Sequence, residues 1–188
     1  MSHPPCGHRR LFMRRAAGLS AMTAASIALP MAAAPARAAG AERRLSFVHT
    51  HTGERLALVF RPDDAPPPEA QRQLDRFLRD HYSGEVGRMD PRLFTLLDRV
   101  QLELGQASDV EVISGFRGQA TNERLRRTGG GGVARHSLHL EGRALDLRLS
   151  GVSLVDLRDA AHAIRGGGVG FYAREQFVHL DTGRVRSW

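Results

Sequence analysis

The chain has 188 residues, enough for one domain around one hydrophobic core with something to spare. Its formal net charge is +7, all 27 basic residues are arginine, and Cys6 is the single cysteine. One thiol excludes an intrachain disulfide, which leaves stability to the core or to a metal.

In chain order, RRLFMR at 9–14 sets arginines ahead of an Ala-rich stretch from Ala16 to Ala36, and Ala36-Arg37-Ala38 offers the small-x-small pattern of signal-peptidase cleavage. This resembles a twin-arginine export signal over residues 1–38. Pro30 and Pro35 interrupt the stretch and its composition is only weakly apolar, which argues against a retained anchor and predicts no stable membrane association after export. Five arginines (Arg9, Arg10, Arg14, Arg15, Arg37) and no acid lie in this segment, so its removal lowers the excess of positive charge from +7 to +2. Such a balance gives no electrostatic footprint for nucleic acid. Cys6 leaves with the signal, so the mature chain has no cysteine nucleophile.

Residues 44–60 read as two strands around a Thr52-Gly53 turn, and RPDDAPPPE at 61–69 as a linker. The expected organisation is therefore an N-terminal hairpin and linker over 39–68, then a main domain over 69–188. A helix is predicted from Glu69 to Tyr82, with Leu74, Phe77 and Leu78 at helical spacing. A second starts at Asp90-Pro91, with Asp90 as N-cap, and runs to Leu104, where Gly105 stops it. DVEVISGF is a strand, Thr121 to Thr128 a polar helix, RALDLRL a strand, and residues 153–165 a helix capped by Ser153. GVGFYA and QFVHLD supply two final strands. This order predicts an α+β fold: a small, largely antiparallel sheet with helices packed on one side.

Strand alternation assigns faces. In RALDLRL, Leu145, Leu147 and Leu149 share the core face, and Ala144, Asp146 and Arg148 the other. In FVHLD, Val178 and Leu180 face the core while Phe177, His179 and Asp181 face away. Asp146 and His179 then project from one open face, and His139 enters from a loop that Gly142 lets turn sharply. Two imidazoles and a carboxylate leave one position of a tetrahedral Zn²⁺ for water. Each residue also has a plainer reading: a histidine in a strand is commonly structural, and Asp146 could pair with Arg143 or Arg148.

Other signals are weaker. GGGG at 129–132 lacks the Gly-Lys-Ser/Thr of a phosphate loop and reads as a flexible lip over the cleft. His49 and His51 read as exposed residues of the hairpin rather than a second metal site. Ser114 and Ser137 lie in no nucleophile elbow and suit hydrogen-bonding walls of a groove. Phe171, Tyr172 and Trp188 are expected to pack the end of the sheet.

SGFRGQATNERLR, GGVARHSLHLEGRALDL and GGVGFYAREQFVHLDTGRVRSW resemble, in that order, the peptidoglycan-cleaving zinc peptidases that include D-Ala-D-Ala carboxypeptidases and dipeptidases, above all the murein endopeptidase K branch. The resemblance runs from about residue 45 to the end. It implies one Zn²⁺ per chain held by His139, Asp146 and His179, with Arg117 binding substrate and stabilising the oxyanion. Carboxypeptidase and dipeptidase relatives carry an acidic base three residues before the last ligand histidine. Here that position is Gln176, which accepts no proton, and alternation turns Glu175 to the wrong face. Asp181 is the first candidate for base or partner of His179. His136 is the second, able alternatively to hydrogen-bond the tetrahedral intermediate, and Ser137 is a candidate substrate contact. The implied activity is zinc-dependent hydrolysis of peptidoglycan cross-links in the periplasm or cell wall, with meso-diaminopimelate 3-3 links preferred. Two alternatives are a non-catalytic peptidoglycan-binding module that has lost its base, and a D-Ala carboxypeptidase, which would need a closed, cationic end to its groove.

Overall fold

The computed structural model describes residues 41–62, 64, 66–128 and 133–188. The expected signal at 1–38, Cys6 within it, and the four glycines at 129–132 lie outside the described residues. The N-terminal hairpin consists of β1 (Arg43–His49) and β2 (Arg55–Phe60). Its turn passes through Gly53 at φ +72°, a conformation that a side chain would disfavour. Five further strands, β3 (Val110–Ser114), β4 (Ala144–Leu149), β5 (Gly168–Tyr172), β6 (Phe177–Asp181) and β7 (Arg186–Ser187), complete one sheet in the order β2-β1-β3-β4-β6-β5-β7. β1–β3 and β5–β7 are parallel and the other pairs antiparallel, so the expected α+β class and largely antiparallel sheet hold.

Two differences follow from pairing, which local patterns do not encode. The hairpin is not set apart from the main domain: β1 lies beside β3 with Phe47 opposite Val110, and both side chains enter the common core. A boundary at residue 68 thus cuts one sheet from its own helices. β7, two residues long, is too short to show a period.

The expected core face is buried, with Leu145, Leu147, Val178 and Leu180 each at most 1% exposed. It is covered by α1 (Pro68–Phe77), α2 (Arg92–Glu103) and α4 (Leu154–Ile164), through Leu74 and Phe77, Leu93, Leu97 and Val100, and Leu157 and Ala161. α1 stops before the expected Tyr82 because the Asp80 carboxylate accepts the Tyr82 and Ser83 amides at 2.9 and 3.3 Å, folding a turn in place of another helical one. Asp90 accepts the Arg92 amide at 3.0 Å, with Pro91 before the first helical residue. Ser153 caps α4 through the Asp156 amide at 3.1 Å. α3 (Gln119–Thr128) instead borders a cavity on the other face of the sheet, through Leu125. No helix among the described residues is long and apolar enough to cross a membrane.

Candidate metal centre

Three separate pieces of backbone converge on one point. Asp146 of β4 and His179 of β6 are register partners, so their side chains leave the same face of adjacent strands. His139 lies on a single 3₁₀ turn (Leu138–Glu141), whose start is capped by Ser137, which accepts the His139 amide at 3.4 Å. Gly142 ends that turn at φ +64°; a Cβ there would stand 2.0 Å from the Arg88 carbonyl oxygen, so the close approach requires glycine. His139, Asp146 and His179 are 2%, 6% and 8% exposed.

Their facing atoms form a tight triangle: His139 Nε2 to Asp146 Oδ1 3.2 Å, His179 Nδ1 to the same oxygen 2.8 Å, and the two ring nitrogens 3.3 Å apart. Ligands about 2.0–2.1 Å from a tetrahedral Zn²⁺ stand roughly 3.3 Å from one another. The chemistry of the donors agrees with the distances. His139 Nδ1 lies 2.7 Å from the Gly115 carbonyl, which only accepts, so that nitrogen carries the proton and Nε2 presents a lone pair. His179 Nε2 lies 3.1 Å from the Asp181 carboxylate, so its Nδ1 likewise presents a lone pair. Two lone pairs and a carboxylate oxygen at these separations repel unless a cation sits among them. Without a metal, a proton must serve. Burial disfavours charge on His179, but Asp146 and Asp181 outweigh it and push its pKa up to about 9. Burial holds His139 below the ordinary imidazole value despite Asp146. Burial alone would raise Asp146, yet the two imidazoles hold it well below the usual carboxylate range. The donor set fits a divalent metal.

Arg117 is buried, 9% exposed, not the surface ion-pair partner that an arginine in a loop often is. Its guanidinium lies 3.4 Å from Asp146 Oδ2, 3.4 Å from Ser114 Oγ and 3.5 Å from Asn122 Oδ1, and it borders the cavity. A register shift between Val112 and Ser114 sets Ser114 opposite Asp146 and aims the following turn at the cluster. The turn is held from below: Asp80 accepts the Gly118 amide at 3.0 Å and Leu78 O accepts the Phe116 amide at 2.8 Å. Asp80 and Asn122, 2% and 0% exposed, were not singled out in the sequence. Only their proximity to Arg117 in space marks them.

Asp181 shares the face of His179 but does not face the cavity. Its carboxylate accepts the Gly168 and Gly183 amides at 3.0 and 2.8 Å and both Arg186 nitrogens at 3.1 and 2.7 Å, besides meeting His179. Two oxygens offer about four lone-pair positions, and the residue is 0% exposed. These contacts fit the partner of His179 and leave no place for a water whose proton Asp181 would take as base.

Glu175 departs from its expected position. Gln176 adopts φ +60°, its side chain bonding to the Ala173 carbonyl within the β5–β6 turn. Strand alternation therefore breaks before β6, and Glu175 borders the cavity while Gln176 does not. His136, exposed, and Ser137 border it too.

The cavity, about 750 Å³, has His139, Asp146 and His179 in its wall. Its lining follows the sheet order, from His51 beyond β1, through Ser114 of β3, Asp146 of β4 and His179 of β6, to Tyr172 of β5 and Trp188 beyond β7. Tyr172 and Trp188 thus line the cleft instead of packing the sheet end; Phe171 alone is packed against the core. The expected exposed pair of histidines also divides. His49 is 1% exposed and lies edge-on to Phe77, while exposed His51 stacks on His81 at 4.2 Å. Burial, then the neighbouring His51 and His49, push His81 down to about 4, so its ring is neutral at neutral pH. The one His/Asp/Glu cluster among the described residues with metal-ligand spacing is that of His139, Asp146 and His179.

Known proteins resemble this chain over the segment that builds the centre. Residues 37–188 match the model of the family described as peptidoglycan L,D-endopeptidase MepK. A protein of Escherichia coli (strain K12) named peptidoglycan L,D-endopeptidase MepK is 40% identical over 146 residues, 78% of this chain and 80% of its own. One of Haemophilus influenzae (strain Rd), named "Probable peptidoglycan L,D-endopeptidase MepK", is 40% identical over 147 residues, 78% of each chain. No solved structure is significantly similar. With the family's sequence spanning the whole sheet and all three facing donors, the chain belongs to the metallopeptidase family of peptidoglycan L,D-endopeptidase MepK.

Proposed function

We propose that this protein is a zinc-dependent endopeptidase that hydrolyses peptide cross-links of peptidoglycan outside the cytoplasm, with meso-diaminopimelate 3-3 links as its preferred bond. The family supports the reaction class, and the relatives' L,D designation supports the bond. The observation that carries the reading is a cleft that continues on both sides of the triad. From β1 to β7 it crosses five strand spacings, about 24 Å at roughly 4.8 Å each, the length of about seven extended residues. A carboxypeptidase needs one end closed over a terminal carboxylate. Here one flank is formed by His51, His81 and Tyr82 and the other by Tyr172 and Trp188. Export through the segment at 1–38 accords with a substrate in the wall.

His139, Asp146 and His179 would hold the metal, which when bound would supply the Lewis acidity that activates water and polarises a carbonyl. Gly115 O and Asp181 fix the tautomers of the two imidazoles, so that each turns a lone pair inward. Arg117, anchored on Asp146, Ser114 and Asn122, places a fixed guanidinium at the cleft wall to meet negative charge developing on the scissile carbonyl. Besides Asp146, Glu175 is the carboxylate bordering the cavity among the described residues, and it takes the proton of the attacking water. His136 and Ser137 stand at the same wall to hydrogen-bond substrate.

Digestion of purified sacculi, followed by mass analysis of muropeptides, tests the reaction. Cross-linked multimers convert to monomers with the wild-type protein and not with Asp146→Ala. Release of terminal alanine alone, or no change, would refute it. Glu175→Gln should lower kcat by about 10²–10⁴-fold with one zinc retained per chain. Were Glu175→Gln to keep its kcat and His136→Ala to lose it, the proton would belong to His136.

A further inference from the structure

Trp188 is the one tryptophan of the chain, and it is 51% exposed. An exposed indole is ordinarily free to move, but this one is constrained from several directions. Its Nε1 donates to the Tyr172 hydroxyl at 2.9 Å. Its backbone is pinned to β5 on both sides, through the Phe171 amide at 3.1 Å and the Val169 carbonyl at 3.3 Å. Its ring lies over Gly170, where a Cβ would stand 2.7–2.8 Å from the indole atoms. The Arg186 guanidinium lies 4.8 Å from its ring centre. The ring centre is 5.2 Å from that of His179, and Tyr172 carries the aromatic surface on to Phe177, stacked on it at 4.5 Å. All three aromatics border the cleft.

We propose that Trp188, with Tyr172 and Phe177, is a preformed platform that binds the aliphatic part of one stem peptide beside the scissile bond. The proposal rests on the cross-link reading of the cleft and deepens it by assigning the flank beyond β6. A rigid aromatic surface binds CH-rich groups at small entropic cost, because its own ordering is complete before the ligand arrives. Methyl and methylene groups of a stem peptide, or the CH face of a sugar, would suit the indole equally. Position separates them. The platform begins 5.2 Å from a candidate metal ligand, within about two extended residues of the reacting carbonyl, and the glycan joins the stem at its far end.

Because Trp188 is the only tryptophan, its fluorescence reports on the platform directly. Zinc-loaded protein titrated with free stem tetrapeptide should show a saturable change in emission, and titration with the disaccharide alone should show none. Trp188→Ala should raise KM for a cross-linked dimer about tenfold, with kcat unchanged and one zinc retained per chain. An emission unmoved by tetrapeptide at concentrations that inhibit cleavage would overturn the platform, as would a response to disaccharide alone. So would a Trp188→Ala enzyme that loses zinc or kcat with KM unchanged. If the variant does not fold, the wild-type titration decides by itself. Failure of the wild-type protein to cut any cross-link, by contrast, removes the parent reading and is seen before any variant is made.

Discussion

His179 sits between two carboxylates whose surroundings divide their work. Asp146 turns Oδ1 toward the two imidazoles and Oδ2 toward Arg117, while Asp181 is tied to backbone amides and Arg186 on the far side of the ring. Asp181→Asn should therefore weaken zinc binding by about 10–100-fold without abolishing it, measured by competition with a chromogenic chelator; unchanged affinity would show that Asp181 does not steer the ring. The metal-free centre also fixes the sign of the pH dependence. His179 holds a proton up to about pH 9, which zinc must displace. Apparent affinity should rise roughly tenfold per pH unit toward that value and level off above it. At this scale, alternation made His139, Asp146 and His179 legible as candidates, because a strand's period decides its faces. Glu175 was illegible for the same reason: one residue at positive φ, Gln176, breaks the period.

Among the elements, the turn after α1 matters beyond its length. Asp80, at its centre, accepts amides from Tyr82 and Ser83 and from Gly118 next to Arg117. Burial would raise its pKa, but hydrogen bonds from Thr121, Gly118, Tyr82 and Ser83 outweigh that and hold it below the ordinary carboxylate value. The folded state thus binds that proton less readily than the unfolded chain. Its contribution to stability is complete above the unfolded pKa, about 3.9, and is lost as pH falls through the lower folded value. Asp80→Ala should cost about 1–3 kcal/mol at neutral pH, the penalty of stranding buried donors, and flatten the acid side of the stability curve. Denaturant melts at pH 7 and pH 3 check both. Helical spacing through Leu78 predicted a longer α1, since periodicity does not register a side chain competing for the amides that the next turn needs.

For the molecule as a whole, a metal at the triad would clamp β6 to β4 and to the turn of His139, 33 and 40 residues away in the chain. No cysteine lies in residues 39–188, so this is the cross-link available there. Chelation should lower Tm, and readdition of zinc at about 1,000 times its Kd should restore roughly 4 kcal/mol; a melt insensitive to both would mean that the centre forms no metal clamp. The amino-acid sequence by itself determined the elements, the inward leucines and valines, and the residue types a metal would need, because local periods and side-chain chemistry are properties of the chain alone. The tertiary structure decided which of those groups meet. Pairing β1 with β3 made the hairpin part of the main sheet, burial filled the lone pairs of Asp181, and a glycine opposite an indole placed Trp188 in the cleft. Each depends on neighbours distant in sequence, where packing and hydrogen-bond satisfaction select among positions that local pattern leaves equivalent.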